Sequence, residues 1–264
     1  MKNSRLMILI AILIFPSIAS AQTEGNLYYP KLLQVEPAVA KTNLAKIINE
    51  MGNQNHPRLI HIEGMGNPKS VIVLDDRIEI TINPRNLTIN FSDLLKYKIG
   101  IVHKLPTYST HEIKLGDVMF WTYTAYNDQL FKDLADYLFY FQHQYRVKQH
   151  DAQLGLFKPL AAEYCTLKVK PPVSEEQRKF IVQANSLNQQ KMFDKAIEFY
   201  IKAIELDPTA YPAAYSNLAL LSAQVHNFDD AIYYMKKYLL LEPGAADARS
   251  SQDKVYEWEV MLIK

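Results

Sequence analysis

Between Glu175 and Pro243 the chain contains one unit twice, at a constant offset. Phe193-Asp194-Lys195-Ala196-Ile197 returns as Phe228-Asp229-Asp230-Ala231-Ile232. Ala184 and Ala219, Gln189 and Gln224, Lys202 and Lys237, Leu206 and Leu241, and Pro208 and Pro243 are each 35 residues apart. A fixed period of that length indicates stacked supersecondary units, none of which can bury its apolar face alone. The residue types agree. Small residues such as Ala184, Ala196, Ala219 and Ala231 let two helices approach closely, and aromatic residues beside them fill the groove. Pro208 and Pro243 stop the second helix of each unit, because proline cannot continue the helical hydrogen-bond ladder.

In residue pattern both copies resemble tetratricopeptide repeats, with units at 177–210 and 212–245. Phe180, Ala184 and Leu187 hold the large, small and large positions of the first helix. Ala196, Tyr200, Ala203 and Pro208 hold the small, aromatic, small and proline positions of the second. Tyr215, Leu218, Ala219, Ala231 and Pro243 match in the second copy. The departures are Gln183 and Ser222 where large apolar residues are usual, and Tyr238 where a small one is usual. The resemblance implies a groove lined by the first helices, with Arg178, Ile181, Asn185, Asn188 and Gln189 from one repeat and Ser216, Asn217, Leu220 and Gln224 from the next. Asn185 and Asn217 match two asparagines of the family's carboxylate clamp. Ile181 and Asp247 stand where the clamp has lysines, so the groove lacks the charge for a chain-terminal carboxylate.

At the other end of the chain, Lys2 and Arg5 precede an unbroken apolar run from Leu6 to Phe15, followed by Ala19-Ser20-Ala21. That is the pattern of a secretory signal, residues 1–21, cut after Ala21. The run is ten residues, short of the roughly 18 expected of a membrane span. The expectation is a periplasmic or secreted protein with no transmembrane anchor after cleavage. The whole chain has 29 Lys+Arg against 28 Asp+Glu, and loss of the leader removes two positive charges. So even a balance argues against a nucleic-acid partner. The single cysteine, Cys165, allows no internal disulfide and is expected to be a small buried residue.

Residues 22–57 read as a helical lead-in, with Ala40, Leu44, Ile47, Ile48 and Met51 on one stripe. Residues 58–167 then change period. Ile78, Ile80 and Ile82 alternate with polar residues, as do Leu87, Ile89 and Phe91, and Tyr97, Ile99 and Ile101. An antiparallel meander is expected, with one or two more strands from Glu112 to Tyr123 around Gly116-Asp117. Asp128 to Tyr145 returns to helical period through Phe131, Leu134, Ala135, Leu138 and Phe141. The front is therefore an α+β domain, an antiparallel sheet closed by a helix, and in pattern it resembles pleckstrin-homology or GRAM-like folds. Pro159 is expected to open a separate short helix through Cys165.

Lys168-Val169-Lys170-Pro171-Pro172-Val173 reads as a stiff linker at 168–173. Ser174-Glu175-Glu176-Gln177 follows as a capping box, the serine capping the helix and Gln177 reaching back. The all-α helical array occupies 174–264. Its last segment, with Ala248, Ser251, Val255, Trp258 and Leu262 on one face, is expected to cap it with a polar outer surface. The linker and tail are also similar to those of exported bacterial repeat proteins.

Motifs for chemistry are missing. Gly64-Met65-Gly66-Asn67-Pro68-Lys69-Ser70 departs from a phosphate loop at Pro68. His143 and His150 share a helix face without a third metal ligand. The expectation is a non-enzymatic scaffold without cofactor or metal, binding a protein or peptide partner or self-associating. Its groove residues would be Arg178, Asn185, Asn188, Gln189, Ser216, Asn217 and Gln224. The alternative is an envelope lipid or surface binder acting through the front sheet.

Overall fold

The computed structural model describes residues 28–51, 61–62, 68–82, 85–97, 99–104, 110–123 and 128–263. The expected signal peptide, the start of the lead-in and most of the glycine-rich segment before Ser70 lie outside them.

The front holds small antiparallel sheets. Strands β2 (Ser70–Val73), β3 (Arg77–Ile82) and β4 (Arg85–Asn90) form one, in chain order. A second has the order β1 (His61–Ile62), β7 (Val118–Tyr123), β6 (Thr110–Leu115), β5 (Val102–Lys104). Alternation does what it should in β3: Ile78, Ile80 and Ile82 are buried, while Arg77, Glu79 and Thr81 are not. The β6–β7 hairpin turns at Gly116, whose φ of 61° is the left-handed conformation that glycine adopts without strain.

Two expectations fail here. The meander does not continue through Phe91, because Phe91–Leu94 form a short helix, α2, with Phe91 and Leu94 buried. The apolar residues of Tyr97–Ile101 also form no strand; Ile101 makes only a bridge to Tyr28. In both places period two was real in sequence, but burial came from single side chains plugging the core. That core also takes Leu44 and Ile48 from α1 (Pro37–Met51), and Phe131, Leu134 and Leu138 from the long helix α3 (Asp128–Thr166).

Helix α3 is one continuous element of 39 residues, where two helices were expected. Pro159 lies inside it. A proline removes one hydrogen bond and crowds the carbonyl four residues back, here that of Gly155. Both residues are exposed, and a Cβ at Gly155 would meet nothing within 4 Å, so the backbone has room to adjust. The opposite face anchors the helix on both sides of Pro159. Phe157, Ala161 and Tyr164 are buried in a second core with Tyr215, Ala219, Met235 and Trp258. One helix thus enters both cores.

The rest is a series of helices: α4 (Glu175–Gln189), α5 (Phe193–Leu206), α6 (Ala213–Gln224), α7 (Phe228–Leu241) and α8 (Ala248–Leu262). The 35-residue period reaches the backbone hydrogen bonds. Met192 N donates to Leu187 O at 3.0 Å, and Asn227 N donates to Ser222 O at 2.8 Å. Lys191 N bonds Asn188 O at 2.9 Å, and His226 N bonds Ala223 O at 3.0 Å. Lys191 and His226 themselves have φ of 59° and 60°. Both first helices therefore end in the same left-handed turn, each on a residue that is not glycine. Ala184 and Ala196, and Ala219 and Ala231, are fully buried where the paired helices touch.

The cap at Ser174 forms only half of the expected box. Its side chain accepts from Gln177 N at 3.1 Å. Gln177 does not reach back; its Nε2 donates to Ala203 O and Asp207 O, each at 3.0 Å. Those carbonyls are the unpaired end of α5, and the buried side-chain amide satisfies both, while Gln177 Oε1 is itself buried with no partner among the described residues. Helix α8 covers the second core with Ser251, Val255 and Trp258, but its outer surface is not polar throughout, since Tyr256, Val260 and Met261 stay exposed. Cys165 is exposed, contrary to expectation, because Ala161 and Tyr164 occupy the buried stripe and it falls beside it.

Adjacent residues on α3 test its second role. Phe157 is 6% exposed and Leu156 is 82% exposed. Phe157→Ala is expected to cost about 3–5 kcal/mol, and Leu156→Ala to change stability by less than about 0.5 kcal/mol. Thermal denaturation of both variants checks this; equal effects would remove α3 from the second core.

Candidate binding groove and the seam behind it

The first helices of the two units, α4 and α6, carry the expected groove residues. The structure brings two of them together. Tyr200, on α5, is 1% exposed, and its hydroxyl reaches both α4 and α6. That hydroxyl donates to Asn185 Oδ1 and accepts from Asn217 Nδ2 at 2.9 Å. Burial first, with Tyr211 adding, pushes the Tyr200 hydroxyl up to about 12, so it keeps its proton at any ordinary pH. Asn185 is exposed and Asn217 half-buried, and among the described residues Asn185 Nδ2 and Asn217 Oδ1 have no partner.

The other expected residues take separate places. Arg178 is exposed and lies 3.5 Å from Glu175 on its own helix. Asn188, Gln189 and Gln224 are exposed, and Ser216 is half-buried. No hydrogen bond among the described residues joins any of these to the Asn185–Tyr200–Asn217 bridge. Ile181 leaves the groove altogether: it is buried with Ala184, Ala196 and Tyr200. Leu220 stays on the surface. At two of the three departures from the repeat pattern the structure adapts differently. Tyr238 keeps its ring buried by donating its hydroxyl to Asp247 Oδ1 at 2.6 Å, whereas Gln183 Oε1 is buried with no partner.

Sequence reasoning missed the role of the Tyr200 hydroxyl, which it read as an aromatic filler. The signal was present. A buried tyrosine must find a partner for its hydroxyl, and the asparagines at 185 and 217 are the polar residues in reach.

Behind the repeats α3 runs parallel to α7 along a polar seam. His143 Nδ1 lies 2.7 Å from Asp229 Oδ1. Arg146 Nη1 donates to Asn227 Oδ1 at 3.0 Å and Asp230 Oδ1 at 3.1 Å, and His150 Nε2 is 3.2 Å from the same carboxylate oxygen. His150 also stacks on Tyr233, whose hydroxyl donates to Gln153 Oε1 at 2.6 Å. For Asp230, burial acts to raise the pKa, but His150 and Arg146 together hold it below the ordinary carboxylate value. So the two histidines hold carboxylates across a helix interface. Among the described residues no group of three or more His, Cys, Asp or Glu could hold a metal ion.

Further along the seam Lys237 Nζ sits over the rings of Phe157 at 4.7 Å, Tyr233 at 4.7 Å and Tyr215 at 5.4 Å. Burial lowers its pKa to about 8, and the rings return part of the lost solvation. The unfolded chain holds that proton up to about pH 10.4. Between those values the unfolded state binds more protons than the folded one, so this group makes stability rise with pH. Lys237→Met is expected to flatten the rise in melting temperature between pH 8 and about 10. An unchanged slope in the variant would assign the effect to another group.

The family model of the tetratricopeptide repeat matches residues 181–210, which run from α4 through the end of α5. The second unit carries the same turn and the same backbone hydrogen bonds 35 residues on.

Proposed function

We propose, for a chain that carries a tetratricopeptide-repeat array in its rear part, that the groove along α4 and α6 binds an extended segment of a partner protein and that the protein acts after export as a scaffold without chemistry of its own. Repeats of this family are protein–protein interaction scaffolds, generally without enzymatic activity. The observation that carries the groove reading is the asparagine pair held on one tyrosine hydroxyl, with free polar atoms left on each amide. A peptide backbone offers hydrogen-bonding groups of both kinds to such a surface. Exposed Leu220 on the same helix as Asn217 supplies an apolar contact. The charged start, apolar run and Ala19-Ser20-Ala21 site support export, and among the described residues no helix is long and apolar enough to cross a membrane.

Position-specific photo-crosslinking in cell-envelope preparations tests the groove. A photo-reactive residue at Gln189 or Leu220 is expected to trap a partner, and one at Glu198 on the outer surface of α5 to trap none. All three positions are exposed, so the fold should tolerate the label. Trapping from Glu198 alone would place the binding surface elsewhere. The exported protein is expected to begin at Gln22; an intact Met1 in the envelope fraction would reject export by cleavage.

A further inference from the structure

We infer that Tyr200 is a specificity-determining residue, fixing the Asn185 and Asn217 amides so that the groove takes the backbone of an internal peptide segment and rejects a chain-terminal carboxylate. This rests on the groove being the binding surface.

The argument is a count of protons on one oxygen. A phenolic hydroxyl has one hydrogen to give and lone pairs to receive. Here the hydrogen goes to Asn185 Oδ1, and a lone pair receives Asn217 Nδ2. Each amide has therefore spent one end. Asn185 is left with its Nδ2 donor and Asn217 with its Oδ1 acceptor. Reversing both amides together gives the same outcome, one donor and one acceptor; two oxygens would compete for the one hydrogen, and two nitrogens would fill lone pairs but leave the buried hydroxyl's hydrogen undonated. With the ring buried between helices, the hydroxyl cannot turn away and release the pair.

A residue inside an extended peptide turns its own N–H and C=O to the same side, as in the hydrogen-bonded pairs of an antiparallel sheet. One donor and one acceptor match that unit. A terminal carboxylate has only acceptors. It would satisfy the Asn185 amide and meet a carbonyl oxygen at Asn217, with two negative partial charges facing each other. Arg178, the cation among the expected groove residues of α4, lies 3.5 Å from Glu175 and forms no bond to the pair.

The experiment uses the full mature chain and two random peptide libraries, one embedded between fixed flanking sequences and one ending in a free carboxylate. Wild-type protein is expected to enrich the embedded library. For a selected peptide, the embedded form should bind roughly tenfold or more tightly than the same peptide made to end in a free carboxylate at the contact residue. In Tyr200→Phe the amides are free to rotate and can offer two donors, so this ratio is expected to fall toward one. General loosening of the repeat would weaken both forms alike and leave the ratio unchanged. A ratio unchanged in folded Tyr200→Phe overturns the role given to Tyr200. Enrichment of carboxylate-ending peptides by wild type overturns the inference, even if the variant fails to fold, and leaves the groove as the binding surface. Enrichment from neither library overturns the groove reading and the inference with it.

Discussion

The structure depends on α3 lying against α7. A 39-residue helix is about 58 Å long, more than either core could occupy alone. Its first half closes the front sheets and its second half closes the repeats. Apolar contact from Phe157, Ala161 and Tyr164 supplies the burial. The polar seam between the halves sets which way the helix lies. Buried carboxylates are costly unless paired, and with the two helices parallel Asp229 and Asp230 meet His143, Arg146 and His150.

The N-terminal segment adds a second tie at the same end. Tyr28 bridges to Ile101 and gives its hydroxyl to Asp136 of α3 at 2.8 Å, while Lys31 N donates to the same carboxylate at 2.8 Å. The neighbouring Tyr29 ring lies 6.2 Å from that of His226, in the turn between α6 and α7. Segment, sheet, α3 and repeat turn therefore meet within a few residues of one another.

What could be read from the sequence follows from which forces are local. The repeats were legible because their period repeats residue types that pack against residues nearby in the chain: Ala184 on Ala196, Ala219 on Ala231. The cap at Ser174 was legible for the same reason, and the destination of Gln177 was not, since it bonds carbonyls 26 and 30 residues away. Helix α3 was misread at Pro159 because a proline rule describes the backbone, while the outcome there was decided by contacts to α7 about 80 residues on. The front sheets were legible as strands but not as two sheets. Alternation at Phe91 and Ile99 reports only that alternate side chains are buried, and a helical turn or an irregular segment can do that too.

A two-unit array should be poorly stable alone, because each unit relies on its neighbours to cover it and roughly three are usually needed. Two remedies are open to such an array, docking on the front domain or self-association. The second half of α3 supplies the first remedy. It lies parallel to α7, buries Tyr215 and Tyr233 on that side, and leaves α8 to cover the other face of the same helix pair. In this arrangement the array needs neither a third full repeat nor a second copy for its core. The proposed binding surface benefits as well. Cover is supplied along α7 and, on α6, at Tyr215 and Ala219, positions other than Asn217, so the asparagine pair is not consumed in stabilising the array. The Asn185–Tyr200–Asn217 bridge, which sits between those two helices, can then be held rigidly from behind and remain open in front.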